Sequence, residues 1–201
     1  MPHYFIIYKP HGVISKFTPE HKHKTLAEVY PFPKHVYPVG RLDVDSEGLL
    51  LLTDDKKLNH ALLNPMKRHE RIYWVQVEGS VTPEAIQQLE KGVTISIEGK
   101  LYNTLPAKAR IIDTPEILPE RFPPVRYRKN IPTTWLELKL IEGKNRQVRR
   151  MTAKVGFPTL RLVRASIEQL HLTAITNEVV TPGLVKSLNQ KEVYQKLKVQ
   201  F

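Results

Sequence analysis

The sequence contains no cysteine. Disulfide staples, thiolate zinc sites and a thiol nucleophile are therefore excluded. It is also short of acids: 20 Asp and Glu stand against 31 Lys and Arg, for a net charge of +11 at pH 7. That excess favours a polyanionic partner, either a nucleic acid or an anionic membrane surface. No apolar run approaches the ~20 residues that a membrane span needs. The opening Met1–Tyr8 stretch lacks the charged region and long apolar core of a secretory signal. A cytoplasmic, nucleic-acid-facing protein is expected, with no membrane partner. The 201 residues allow one large domain, or two small lobes sharing a core.

The densest chemistry lies at residues 38–55. Asp43, Asp45 and Glu47 occupy alternate positions, bracketed by Gly40 and Gly48, and Leu49, Leu50, Leu51 and Leu52 follow at once. So short an apolar run suits a buried strand better than a helix. The acids then form a polar loop held at the rim of the core, where functional groups are often placed.

The rest of the chain reads as strands with a few helices. His3–Tyr8 is expected to be a strand, and Val13–Phe17 a second one. Asp54 or Asp55 can cap a helix over 56–63, which Asn64-Pro65 stops. In the strand 69–78, Tyr73, Val75 and Val77 share one face, while Ile72, Trp74 and Gln76 share the other. Thr82-Pro83 opens a helix that Gly92 ends. Residues 94–113 hold short strands. Residues 115–132 carry five prolines interleaved with Arg121, Phe122, Arg126, Tyr127, Arg128 and Lys129. This stretch reads equally as a surface excursion or as a stiff loop for phosphates and unstacked bases. Trp135–Ile141 alternates as a half-buried strand, a basic helix runs over 145–155, and residues 160–172 alternate again. Asn189 and Glu192 have capping-box spacing for a last helix. The fold class expected is α+β, with a mixed, mostly antiparallel sheet and a few flanking helices.

Three chemistries compete for the acidic loop. Its acids match the spacing of a calcium loop, but the segment before it, rich in proline and glycine, cannot be the entering helix, and leucines stand where ligands belong. A carboxylate pair for glycoside hydrolysis needs a second acid across a sugar, and a basic chain does not favour neutral glycans. The third is one aspartate attacking a carbon centre, kept ionised by a nearby cation. The basic helix supplies candidates, because Arg146, Arg149 and Arg150 are spaced to share one side. No metal site is expected.

Four ordered motifs then carry a resemblance. They are Lys9-Pro10-x-Gly12-Val13, Gly40-Arg41-Leu42-Asp43 with Gly48–Asp54, Tyr73-Trp74-Val75, and Glu142-Gly143-Lys144-Asn145-Arg146-Gln147-Val148-Arg149-Arg150-Met151. Together they resemble the rRNA pseudouridine synthases related to the small-subunit 16S enzyme. Segments 123–126, 131–136 and 156–162 are most similar to the branch that acts on 23S rRNA. The resemblance implies that family's catalytic fold over residues 1–201, with two lobes around a central RNA-binding cleft and no separate N-terminal RNA-binding domain. It implies Asp43 as the catalytic aspartate, Arg149 as its paired cation and Tyr73 stacked on the target uracil. Arg41 would fill the gap left by the flipped base. Lys144, Arg146, Arg126, Arg128 and Lys129 are the further candidates for RNA contact. The partner implied is 23S rRNA or a large-subunit precursor, bound by a monomer that needs no cofactor. The rival expectation is a non-catalytic assembly factor on the same fold. A motif lacking its aspartate or its arginine would support that rival, and neither is missing.

Overall fold

The computed structural model describes residues 1–126 and 128–200. In chain order its elements are β1 (Tyr4–Lys9), β2 (Tyr37–Pro38), β3 (Glu47–Thr53), α1 (Lys56–Leu63), β4 (Arg71–Glu78), α2 (Pro83–Lys91), β5 (Thr94–Ile97), β6 (Lys100–Asn103), β7 (Lys108–Ile112), β8 (Thr133–Leu140), α3 (Gln147–Lys154), β9 (Thr159–Ile167), β10 (Leu170–His171), β11 (Val185–Ser187) and α4 (Gln190–Lys196). Nine strands form one sheet in the order β11-β1-β3-β9-β4-β8-β7, with β2 added to β3 and β10 to β9. The pair β3–β9 is parallel and the other pairings are antiparallel. The mixed, mostly antiparallel sheet expected from the sequence is the one present. β5 and β6 form a separate hairpin.

The leucine run explains the centre. Every residue of β3 is buried. Leu49 and Leu51 pack into one apolar cluster with Tyr4, Trp74 and Val163, while Leu50 and Leu52 pack into another with Ile7, Leu26 and Leu42. A strand covered on both faces has no use for polar alternation. On β4 the expected faces hold: Val75 and Val77 meet α2 and α3 in a third cluster, with Tyr73 packed against it, while Trp74 and Ile72 join the first.

The local stop signals act as their chemistry dictates. Asp55 caps α1 by accepting from Leu58 N at 3.1 Å, and Asp54 instead receives the backbone N–H of His3 at 2.6 Å. Thr82 caps α2, and Asn189 caps α4. Two expectations need correction. Residues 13–17 form no strand: Val13 makes one isolated bridge, to Lys24. The basic helix begins at Gln147, because Arg146 adopts a left-handed conformation at φ 51°. Residues 115–132 hold neither strand nor helix among the described residues. Among the described residues, no helix is long and apolar enough to cross a membrane.

Candidate active site

The acidic loop is clamped at both ends and in the middle. Val39 N donates to Leu51 O at 2.8 Å, and Gly12 N donates to Val44 O at 2.8 Å. Ser15 Oγ accepts from Leu42 N at 3.0 Å and donates to Leu42 O at 2.9 Å. Ser46 N closes a turn on Asp43 O at 3.0 Å. The opening motif thus serves the loop through Gly12, and Leu42 anchors it in the apolar cluster behind. Asp43 projects from this fixed backbone into a cleft of about 780 Å³, with 39% of its side chain exposed.

Two arginines of the α3 segment close on the loop, Arg146 from the lining of the cleft and Arg149 from outside that lining. Arg146 donates to both carboxylate oxygens of Asp45, at 3.1 and 2.8 Å, and stands 3.7 Å from Asp43 Oδ2. Arg149 Nη2 donates to the Asp45 carbonyl at 2.6 Å, and its Nε lies 3.4 Å from the Asp45 carboxylate. The pair of Asp43 with Arg149 expected from the sequence is therefore replaced. Asp45 receives both guanidinium groups, Arg146 is the cation within ion-pair distance of Asp43, and Arg149 feels Asp43 at longer range. Burial pushes the Asp45 carboxyl up, but the Arg146 hydrogen bonds and the two positive charges outweigh it and hold it below the usual carboxylate range. Burial pulls Arg149 below the ordinary guanidinium range, with Asp45 opposing. Arg150 turns away, to the carbonyls of Asn145 and Ser96.

The segment before α3 is pinned by a second network. Glu142 accepts from Tyr102 Oη at 2.5 Å, Leu105 N at 2.9 Å and Gln147 Nε2 at 2.6 Å. Lys144 lies over the Tyr102 ring, 4.8 Å from its centre, within cation–π range. The β5–β6 hairpin thereby helps place Arg146 at the cleft. Beneath the loop, Glu47 is buried and accepts from Arg161 Nε and Nη2, both at 2.9 Å, and from Tyr8 Oη at 2.9 Å. Glu47 is thus a strut beneath the loop and Asp45 an anchor for the two arginines. Lys9 is fully buried, donating to Val13 O at 2.6 Å and Pro10 O at 2.9 Å, and burial pulls its amine down to about 7.

The structure brings Arg41, Asp43, Tyr73, Lys144 and Arg146 to one cleft, with Leu140 and Leu162 as apolar lining. Arg149 stands behind the aspartate loop. Arg126, Arg128 and Lys129 do not line the cleft. Arg128 pairs with Glu78 at 2.8 Å, while Arg121 is tied to the carbonyls of Pro123, Pro124 and Leu160. Tyr127 lies outside the described residues. Arg164 is a cleft residue that the sequence reading passed over. It sits inside an apolar alternation, and its charge at such a position is the signal that could have marked it. The cleft so built can hold a planar base against Tyr73 and apolar walls, present the Asp43 carboxyl group to it, and meet phosphates with cations at the rim.

Comparison with known proteins agrees. The RNA pseudouridylate synthase family matches residues 3–154. A ribosomal large subunit pseudouridine synthase E from Vibrio parahaemolyticus is 52% identical over 167 residues, covering 83% of this chain and 68% of that protein. Its namesake from Vibrio vulnificus is 51% identical over 184 residues, covering 92% and 74%. A crystal structure of a pseudouridylate synthase superposes with a TM-score of 0.78 at 27% identity, covering 98% of this chain and 74% of the other. The family match spans the clamped aspartate loop, the Tyr73 strand and the arginines of α3, and this chain belongs to the RNA pseudouridylate synthases.

Proposed function

We propose that the protein isomerises a specific uridine of 23S rRNA to pseudouridine, with Asp43 at the chemistry. The bond from C1′ to N1 breaks, the ring turns, and C1′ joins C5. The C5 proton is lost and N1 gains one, so nothing is oxidised and no group leaves. The observation that carries the reading is the placement of Asp43. It stands on a backbone clamped by hydrogen bonds, opens into the cleft that Tyr73 lines, and has Arg146 within 3.7 Å. The choice of large-subunit rRNA draws support from two relatives of about half identity that carry that substrate in their names.

In this reading the target base leaves its stack to reach the cleft. Tyr73 stacks on the uracil and helps remove the C5 proton. Arg41, exposed at the cleft rim, offers a planar guanidinium to the vacated space. Arg149 and Arg146 keep the aspartate loop in place through Asp45. Lys144, Arg126, Arg128 and Lys129 meet phosphates.

The test incubates purified protein with unmodified 23S rRNA, without added metal or cofactor, and maps pseudouridine by carbodiimide treatment and reverse-transcription stops. One new stop with the wild type and none with Asp43→Asn is expected. A stop with both removes Asp43 from the chemistry. No stop with either, alongside undiminished RNA binding, makes the protein a binding factor and overturns the reading.

A further inference from the structure

Arg164 is a charged residue set in the middle of the sheet. Its strand, β9, lies between β3 and β4, and Arg164 is in register with Gly48 on one side and with Tyr73 on the other. The second register depends on an irregularity. Ile72 faces Ser166, Tyr73 faces Arg164, and Ala165 is skipped. An unbroken ladder would set Tyr73 against the methyl group of Ala165. Bulges of this kind re-aim side chains beside active sites. Residues directly opposed across a ladder share a face, and both Tyr73 and Arg164 line the cleft.

The contacts of the guanidinium follow from that placement. Arg164 is buried, and its Nε donates to Leu49 O at 2.8 Å, on the strand that leaves the aspartate loop. Burial pulls the guanidinium below its ordinary range and the nearby Arg71 charge adds to that, while Tyr73 opposes it. Its Nη2 has no hydrogen-bond partner among the described residues. A guanidinium kept only for the fold would have its donors matched, because burying an unmatched one is unfavourable.

We propose that Arg164 is a positioning residue for the isomerisation: it fixes the Tyr73 hydroxyl, and through it the ring that meets the target uracil, to the strand that carries the Asp43 loop. The inference rests on the isomerase reading. Turnover and RNA affinity are measured on a 23S rRNA fragment for Arg164→Lys and Arg164→Gln, each alone and combined with Tyr73→Phe. The arginine side-chain ¹⁵N spectrum is recorded for the wild type and for Tyr73→Phe. Each Arg164 variant is expected to lower kcat about 10–100-fold with RNA affinity unchanged. The combined variants are expected to be no slower than Tyr73→Phe alone, and the Arg164 resonance moves when the Tyr73 hydroxyl is removed. Multiplying losses, or lost affinity with kcat intact, overturn the inference. If the Arg164 variants do not fold, the resonance decides, and an unmoved resonance in an active wild type overturns the inference alone. A wild type that forms no pseudouridine overturns the isomerase reading beneath it.

Discussion

Asp45 takes the hydrogen bonds that would otherwise compete for Asp43. By holding Arg146 in two contacts and Arg149 in two more, it leaves the Asp43 carboxylate partly open and next to positive charge. Asp45→Asn keeps the shape and removes the charge. Turnover should fall about tenfold, the equivalent of one charge-assisted bond, while RNA affinity holds. Its folded pKa lies below the unfolded one, so its contribution is present at neutral pH and is lost only as pH falls below about 4. Lys9 gives the same direction of pH dependence in a higher window. Its amine is pulled from 10.5 to about 7, so between those values the unfolded chain binds the extra proton and stability rises with pH. Lys9→Met should remove that rise. Urea midpoints of both proteins at pH 7 and pH 9 would show it, and equal slopes would refute it.

At the scale of elements, β3 and β9 meet at Gly48. A Cβ there would overlap the Arg164 carbonyl oxygen and lie 2.7 Å from the Arg164 nitrogen, at a φ of +105°. Gly48→Ala should therefore cost about 3 kcal/mol or more, read as a lower melting temperature, with loss of activity as the aspartate loop loses its footing. The leucine run, the faces of β4 and the caps of α1, α2 and α4 were legible because each is a local pattern. A run without alternation means burial on both sides, and a cap needs only its own turn. Arg149's true partner was not legible. Asp43 and Asp45 are two residues apart in sequence, and only the fold of a segment a hundred residues on decides which of them the arginines reach. Arg164 was hidden for the same reason, since its pairing with Tyr73 depends on one skipped residue in a distant strand. Arg126, Arg128 and Lys129 share a basic stretch, but composition alone could not say that it lies off the cleft or that Arg128 already has Glu78.

The net charge of +11 belongs to the whole molecule, as does the sheet that joins residues from Tyr4 to Ser187. RNA affinity should fall steeply with salt as counterions return to the phosphates. Arg126→Ala or Lys129→Ala should flatten the slope of log affinity against log salt by about 0.7–0.9 each if that side chain touches a phosphate. Arg128→Ala should flatten it less, since its charge is shared with Glu78. Slopes equal to that of the wild type would place the RNA elsewhere. The parallel pairing of β3 with β9 also sets a schedule. Glu47 and Gly48 find Val163 and Arg164 more than a hundred residues later, so the aspartate loop emerges from the ribosome long before the strand that seats it. A newborn chain cannot act on the RNA of the particle that is making it until most of its own length has been translated.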